Sequence, residues 1–183
     1  YTGEDLARFS GTIFRTLTAF KYSSDNAEGT SLTPDMATDT GRPSEDGAVW
    51  EFTIRDGVTF QDGTAVGCKD IKYGVSRTFA TDLITNGPAY AISMLDVEGY
   101  LGPYSEDPKN NVEGFDQAVV CSADDKTITF NLNRSVADFN YTVTLPAFSP
   151  VPQASDTGEK YDDAVVATGP YKISEYTKGQ KMT

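Results

Sequence analysis

The stretch 50–80 constrains the fold more than any other part of the sequence, because its apolar spacing changes from every second residue to every fourth. At its start apolar and polar side chains alternate, which predicts a strand with one buried face, and the apolar members are Trp50, Phe52 and Ile54. Asp-Gly pairs at 56–57 and 62–63 predict turns around a second short strand at 58–60. A helix is then predicted over 69–80, with a buried stripe of Ile71, Val75 and Phe79.

A second pattern, at 118–132, predicts a β-hairpin. An apolar run at 118–121 leads into a polar turn at 122–126, after which Ile128, Phe130 and Leu132 alternate with polar residues. Strands and helices are mixed without the regular strand–helix–strand alternation of parallel α/β folds. The sequence therefore predicts the α+β class.

Weaker patterns complete the predicted elements. Apolar side chains at helical spacing predict further helices over 4–20 and 89–95. A turn is predicted at 32–35 and a last strand at 169–173. Loops are predicted for the polar or proline-broken stretches 21–48, 105–117 and 136–149.

The composition excludes several classes of function. The 183 residues suit one domain, and the absence of histidine removes Ser-His-Asp and Cys-His catalysis and imidazole zinc sites. The 15 Lys and Arg against 27 Asp and Glu give a formal net charge of −12. This field repels nucleic-acid phosphates and anionic membrane surfaces, so we expect no nucleic-acid partner.

The cysteines and the acids leave alternatives open. Cys68 and Cys121 do not form a CxxC pair and cannot complete a four-ligand zinc site, which leaves one disulfide or two buried thiols. The acidic stretch 107–116 does not match the EF-hand spacing, so no metal is predicted. Two carboxylates across a cleft are typical of a glycosidase, but nothing in the sequence selects such a pair.

The aromatic side chains fall into two groups. Those at core spacing are expected to be buried, and they are Trp50, Phe52, Phe60, Phe79 and Phe130. Those in loops or weakly periodic segments either line a binding groove or cover a small core, and they are Tyr90, Tyr100, Tyr104, Phe148 and Tyr161.

Four segments in a fixed order resemble one protein family. They run from Leu32 to Ala37, from Asp46 to Gly63, from Asp70 to Arg77 and from Thr168 to Ile173. Together they are similar to extracellular solute-binding protein family 5, the peptide-binding and nickel-binding receptors of ABC importers. The run from Trp50 to Gly63 is the most specific of them, and it identifies a scaffold rather than a ligand.

The resemblance implies an α+β fold that is part of the first lobe of a two-lobed periplasmic-binding-protein-like fold (type II, cluster C), with a mixed sheet and flanking helices. Residues 1–33 and 164–183 then belong to the core of this lobe, and residues 34–163 form a small α+β subdomain. Family members are more than twice as long, so the second lobe is expected to be absent. The resemblance also implies a Cys68–Cys121 disulfide, because both cysteines fall in one subdomain of a protein that works outside the cytoplasm.

The resemblance further implies the function. A family 5 receptor captures an oligopeptide or similar small solute between its lobes, without catalysis or a cofactor, and delivers it to an ABC permease. It is expected to be a monomer, extracellular or periplasmic, and anchored as a lipoprotein in its full-length form. First-lobe ligand contacts are expected from three segments, and the residues proposed for them are Phe14, Arg15, Tyr90, Met94 and Phe148.

Two alternatives from other classes accompany this interpretation. One is a small secreted carbohydrate hydrolase that uses two acids, and the other is a stand-alone binding module. The abrupt ends of the chain at Tyr1 and Thr183 disfavour the stand-alone module. As a fragment of one lobe, the chain is expected to bind its ligand weakly or not at all.

Overall fold

The computed structural model describes residues 11–85, 87, 89–177 and 179–183. Its strands are β1 (Thr18–Phe20), β2 (Leu32–Pro34), β3 (Arg42–Pro43), β4 (Val49–Thr53), β5 (Val119–Cys121), β6 (Thr127–Asn131), β7 (Tyr176–Thr177) and β8 (Lys181–Met182). Its α-helices are α1 (Asn26–Gly29), α2 (Cys68–Arg77), α3 (Tyr90–Leu95), α4 (Val112–Ala118) and α5 (Phe139–Thr142). Three 3-10 turns lie at Pro146–Phe148, Gln153–Ser155 and Gly158–Asp163. This mixture of helices and strands confirms the α+β class.

The central sheet has four strands in the order β3-β4-β6-β5. Its register places Trp50 opposite Phe130 and Phe52 opposite Ile128, and all four side chains are buried. The residues between them are half-buried, so the alternation and the hairpin predicted from the sequence are confirmed. The mixed sheet expected for the lobe is not seen in the described part of the chain, where strand pairings are antiparallel and β5 and β6 are joined by a short turn.

Helix α2 packs against this sheet and against the 3-10 turn at Pro146–Phe148. Ile71 and Val75 are fully buried on its inner face. At Gly74 the helix approaches the backbone so closely that an added Cβ would lie 2.1 Å from the carbonyl oxygen of Ser149. The predicted helix is confirmed, although it ends at Arg77, and Phe79 is buried from the turn that follows.

The buried side chains form two clusters. The main core contains all five aromatic residues that the spacing predicts to be buried. The second cluster joins the segment around residue 13 to the region 151–167, and it consists of Ile13, Val151, Tyr161, Val165 and Ala167. The division of the lobe into 1–33 with 164–183 and a subdomain at 34–163 stays a prediction.

The helix predicted over 4–20 is wrong where the structure describes it, and residues 4–10 lie outside the described residues. The chain from residue 11 forms a turn, an extended segment and then β1, which pairs with β2. Its carbonyls bind flanking segments instead of their own helix, since Thr16 O accepts from Met36 N at 3.0 Å and Ile13 O from Thr168 N at 3.0 Å. Apolar spacing alone cannot separate a helix from an extended segment that is covered on two sides. The turn predicted at 32–35 is wrong, because residues 32–34 form strand β2, which pairs with β1.

All three predicted loops contain a helix, and the first of them, 21–48, contains α1, β2 and β3. In the stretch 105–117 the helix α4 begins after Asn111, whose side-chain oxygen accepts from Gly114 N at 3.0 Å. Phe115 anchors this helix in the main core, where its ring stacks on Tyr100 at a centroid distance of 4.4 Å. The stretch 136–149 likewise contains α5 and a 3-10 turn. In the stretch 105–117, the burial of Phe115 therefore stabilises a helix even though most of the surrounding residues are polar. The helix predicted over 89–95 is confirmed as α3.

Two predicted strands are not formed. Residues 58–60 make only an isolated bridge between Thr59 and Ala65. The strand predicted from 169 is replaced by close backbone packing, because Gly169 N donates to Ile13 O at 2.8 Å. A Cβ at Gly169 would lie 2.3 Å from the carbonyl oxygen of Thr12, so this approach requires glycine. The last strands, β7 and β8, form a separate hairpin further along the chain.

Candidate ligand-binding surface

Arg15 lies at the junction of three segments. Its Nε and Nη2 donate to Asp35 Oδ1 at 2.8 and 2.6 Å, and Nη2 also donates to the Asp35 carbonyl at 3.2 Å. The backbone N–H of Arg15 donates to Thr168 Oγ1 at 2.9 Å, although the two residues are 153 positions apart. Asp35 Oδ2 accepts from the backbone N–H of Thr16 at 3.2 Å. This half-buried ion pair therefore positions the backbone of 13–16.

Phe14 lies beside Arg15 but belongs to different surroundings. It is half-buried and packs against the second cluster, as Tyr73 and Ile173 also do. Leu17, which follows in the same segment, is buried in the main core instead. The segment 13–17 consequently connects the two clusters.

Tyr90 and Met94 lie one helical turn apart on α3. The Tyr90 side chain is 49% exposed at the first residue of the helix, whereas Met94 is half-buried against the main core. The end of the helix is held by residues that follow β6, because Asn133 N donates to Met94 O at 2.8 Å and Arg134 Nη1 to Ser93 O at 2.9 Å. Tyr90 thus offers an accessible aromatic ring on a short, well-anchored helix.

Phe148 lies inside the main core, with 0% of its surface exposed. Its ring meets those of Phe130 and Phe139 edge to face, at centroid distances of 5.8 and 5.7 Å. The 3-10 turn that carries Phe148 packs beside α3, so two of the three expected segments are neighbours. Phe148 is therefore a core residue and presents no surface of its own.

The sequence gives no signal for a buried polar cluster around Asp156. The Asp156 side chain is 1% exposed, and its Oδ2 accepts from Tyr104 OH at 2.5 Å, from Tyr73 OH at 2.9 Å and lies 3.0 Å from Arg77 Nε. Its Oδ1 accepts from the backbone N–H of Gly158 at 2.9 Å. The guanidinium of Arg77 also lies over the Tyr161 ring, 4.5 Å from its centroid. The cluster fastens the region 153–163 to α2.

The protonation of this cluster follows from burial and pairing. Burial opposes the charge of Asp156, but the hydrogen bonds from Tyr104, Gly158 and Tyr73 and the charge of Arg77 outweigh it, so the pKa of Asp156 is lowered. Burial and the neighbouring carboxylate raise the pKa of Tyr73. The carboxylate therefore stays ionised while the phenols stay neutral and donate.

The disulfide implied by the family resemblance is present between Cys68 and Cys121, with a Cα–Cα distance of 5.7 Å. It joins the first residue of α2 to the last residue of β5. Asp70 Oδ2 accepts from the backbone N–H of Gly67 at 2.9 Å, and burial raises the pKa of this carboxyl. Within the described residues, the one grouping of three metal-ligating side chains consists of the two cysteines and Asp125.

Residues 31–183 match the family described as Bacterial extracellular solute-binding proteins, family 5 Middle. The chain belongs to this family. The match covers the strand, turns and helix at 50–80 and continues through the hairpin to the end of the chain. Among the described residues, no helix has the length and apolar character needed to cross a membrane.

Similar proteins carry the names of peptide-binding proteins. Over 170 residues the chain is 26% identical to "Probable D,D-dipeptide-binding periplasmic protein DdpA" of Escherichia coli (strain K12). This alignment covers 88% of this chain and 28% of DdpA. Over 145 residues it is 26% identical to the oligopeptide-binding protein OppA of Bacillus subtilis (strain 168), covering 76% of this chain and 25% of that protein.

Solved structures share the fold. The clavulanic acid biosynthesis oligopeptide binding protein 2 is 32% identical, with a TM-score of 0.81 over 92% of this chain and 30% of that one. The unliganded open form of the murein tripeptide binding protein MppA is 23% identical, with a TM-score of 0.73 over 100% of this chain and 33% of that one. The chain therefore spans between a quarter and a third of the length of these relatives.

Proposed function

We propose that this chain is part of the substrate-binding component of an ABC importer. The complete receptor captures an oligopeptide or a similar small solute outside the membrane and delivers it to a membrane permease. The observation that carries this proposal is the family match over 31–183. The fold shared with an oligopeptide-binding protein at a TM-score of 0.81 supports it.

Capture in this scheme requires two lobes that close around the ligand. One lobe covers only part of the ligand surface, and most of the affinity comes from enclosure by both. Because the chain spans 28% of its E. coli relative, we expect it to contribute one side of the cleft and to bind little by itself. Main-chain hydrogen bonds to the peptide, with roomy side-chain pockets, suit a receptor of broad specificity.

The first-lobe contacts of this proposal come from two places. Tyr90 supplies an exposed aromatic face, and Met94, one helical turn further along, supplies an adaptable apolar side chain. Phe14 and the backbone around Arg15 supply the second place. Asp35 already neutralises the Arg15 guanidinium. We therefore expect Arg15 to hold the segment 13–16 in place and not to bind the charged terminus of a peptide. Phe148 contributes packing within the core.

The remaining features of the proposal concern the complete receptor. We propose that it acts as a monomer, without catalysis, metal or cofactor, in the periplasm or at the cell exterior, where a lipid anchor retains it. The name of the relative DdpA, a periplasmic protein, supports the compartment. The disulfide supports it as well, because disulfides persist in oxidising compartments.

The first experiment is to sequence the gene on both sides of this segment and to express its complete reading frame. We expect the frame to continue well beyond Thr183 and to lie beside permease genes. Isothermal titration with an oligopeptide mixture should then show binding by the complete receptor and no measurable heat with the isolated chain. A complete receptor that ignores peptides would overturn the proposal, and micromolar binding by the isolated chain would contradict the need for two lobes.

The same preparations decide between a receptor and a carbohydrate hydrolase. We expect no turnover when the complete protein is incubated with a panel of glycans. Turnover that is abolished by substituting single carboxylates with amides would replace the transport proposal with the hydrolase alternative.

A further inference from the structure

Three groups that can bind a metal ion, two cysteine sulfurs and one carboxylate, converge at the start of α2. Cys68 Sγ, Cys121 Sγ and a carboxylate oxygen of Asp125 all lie within 4.8 Å of one another. Cys68 is fully buried, whereas Cys121 and Asp125 are half-buried and accessible from solvent. Two of these residues are 53 positions apart, so the tertiary structure creates the grouping.

Asp125 is held in this position independently of the sulfur–sulfur bond. It lies in the turn between β5 and β6 with a φ of 61°. Its carbonyl accepts from Cys68 N at 2.9 Å, and its Oδ1 accepts from Lys69 N at 2.9 Å. The Oδ2 atom lies against Gly67, where an added Cβ would be 2.0 Å away. These contacts fasten the turn to the first residues of α2 whether the cysteines are oxidised or reduced.

We propose that reduction of the Cys68–Cys121 disulfide creates a binding site for one thiophilic divalent cation, Zn²⁺ or Cd²⁺, with two thiolates and the Asp125 carboxylate as ligands. Zinc takes thiolates at about 2.3 Å and carboxylates at about 2.0–2.2 Å, usually with four ligands. Groups already within 4.8 Å need only small shifts to surround such an ion. A water molecule completes the coordination.

The chemistry balances in two steps. Reduction cleaves the S–S bond with two electrons and two protons, which a dithiol reductant supplies as it is itself oxidised to a disulfide. The cation then displaces both thiol protons into solvent. Cys68 is the first residue of a ten-residue helix, where the helix dipole favours a thiolate. Three negative ligands around a divalent cation leave one net negative charge, which suits this helix terminus.

The bound cation would replace the disulfide with a metal-mediated cross-link between the same two cysteines. Both join the start of α2 to β5, so the subdomain keeps this tether under oxidising and reducing conditions. Metal binding to the folded, reduced chain must therefore raise its stability, since the ion binds the folded state in preference to the unfolded state.

The test uses the chain reduced with a dithiol and then freed of reductant under argon. Cd²⁺ is titrated while the thiolate-to-cadmium charge-transfer absorption and the melting temperature are recorded. We expect the absorption to saturate at one ion per chain, the melting temperature to rise by several degrees, and the oxidised chain to show neither effect. Absence of a saturable band, or a band without a rise in melting temperature, would overturn the proposal.

Matched variants identify the third ligand. Asp125→Asn keeps an oxygen that can accept from Lys69 N but loses the charged ligand, so we expect at least a tenfold weaker affinity for Cd²⁺. Asp124→Asn is the control, because Asp124 lies in the same turn but is exposed. Its carboxylate accepts a hydrogen bond from the Ser122 hydroxyl. Cys121→Ser should abolish the band. Equal affinity in the Asp125→Asn variant and the unmodified chain would refute the three-ligand site.

Discussion

At the scale of single residues, Asp156 shows how one buried carboxylate organises distant segments. Its partners come from α2, from the loop that contains Tyr104 and from the 3-10 turn after residue 157. A buried charge is tolerated only when its pairing and hydrogen bonds are complete, and this one has both. The cluster therefore depends on every member being present.

We predict that Asp156→Asn lowers the free energy of unfolding by about 3 kcal/mol, because it leaves Arg77 without its buried counter-charge. The lowered pKa of Asp156 adds a pH dependence. Its stabilisation is complete above the unfolded pKa of about 3.9 and is lost as the pH falls through the lower folded pKa. Urea unfolding of both proteins between pH 2 and 7 should show a difference that is constant at neutral pH and shrinks below about pH 4.

The exposed Asp163 provides the control for this prediction. Asp163→Asn should change the unfolding free energy by less than about 0.5 kcal/mol at every pH. An Asp156→Asn variant that behaves like Asp163→Asn would show that the polar cluster contributes nothing to stability.

Residue burial could be predicted from the sequence where spacing is regular. All five aromatics at core spacing are buried, from Trp50 to Phe130. Spacing could not decide the five aromatics of irregular segments, which include the buried Phe148 and the half-exposed Tyr90. Their burial depends on which segments pack around them, and this is not encoded in local periodicity.

At the scale of elements, α2 can approach the backbone of Ser149 closely because Gly74, on its inner face, has no side chain. We predict that Gly74→Ala destabilises the protein by about 1–3 kcal/mol, although alanine favours helices by about 1 kcal/mol over glycine. The reason is that the new Cβ would collide with the carbonyl oxygen of Ser149 at 2.1 Å. Thermal and urea unfolding measure the effect.

Gly29→Ala is the matched helical control, since its Cβ would lie an ordinary 3.4 Å from the Ser23 carbonyl oxygen. We expect this control to be neutral or slightly stabilising. A Gly74→Ala variant as stable as the Gly29→Ala variant would show that the contact between α2 and the segment after 148 adjusts freely.

The disulfide gives a second prediction for these elements. Closing a loop with a sequence separation of 53 stabilises the folded state by about 4 kcal/mol in the chain-entropy description. We expect no titratable thiol in denaturant without reductant, and a shift of urea unfolding to lower concentrations after reduction. A double variant with serine at Cys68 and Cys121 should unfold like the reduced chain and ignore reductant. Two thiols in the untreated protein would contradict the prediction.

At the scale of the whole molecule, ligand capture depends on surfaces that this chain contributes to a larger receptor. We predict that Tyr90→Ala weakens peptide binding by the complete receptor by about tenfold or more, because aromatic side chains supply a large share of binding energy at such surfaces. The unfolding free energy should stay within about 0.5 kcal/mol, since Tyr90 is 49% exposed. Isothermal titration and urea unfolding of the same preparations measure both quantities.

Tyr22→Ala is the control for this measurement, because Tyr22 is 88% exposed and lies outside the proposed surface. It should leave the affinity unchanged. Equal affinities of the Tyr90→Ala variant, the Tyr22→Ala variant and the unmodified receptor would remove α3 from the proposed contact surface.

Sequence patterns were sufficient to predict the strand at 49–53, helix α2, the hairpin of β5 and β6, and the family. Each of these depends on spacing within a short window, or on segments that keep a fixed order along the chain. Only the three-dimensional packing shows that residues 11–18 form a turn and an extended segment instead of a helix, because their hydrogen bonds reach Met36 and Thr168. It also decided the partners of Asp156 and of Asp125, since such contacts join residues dozens of positions apart and leave no local pattern.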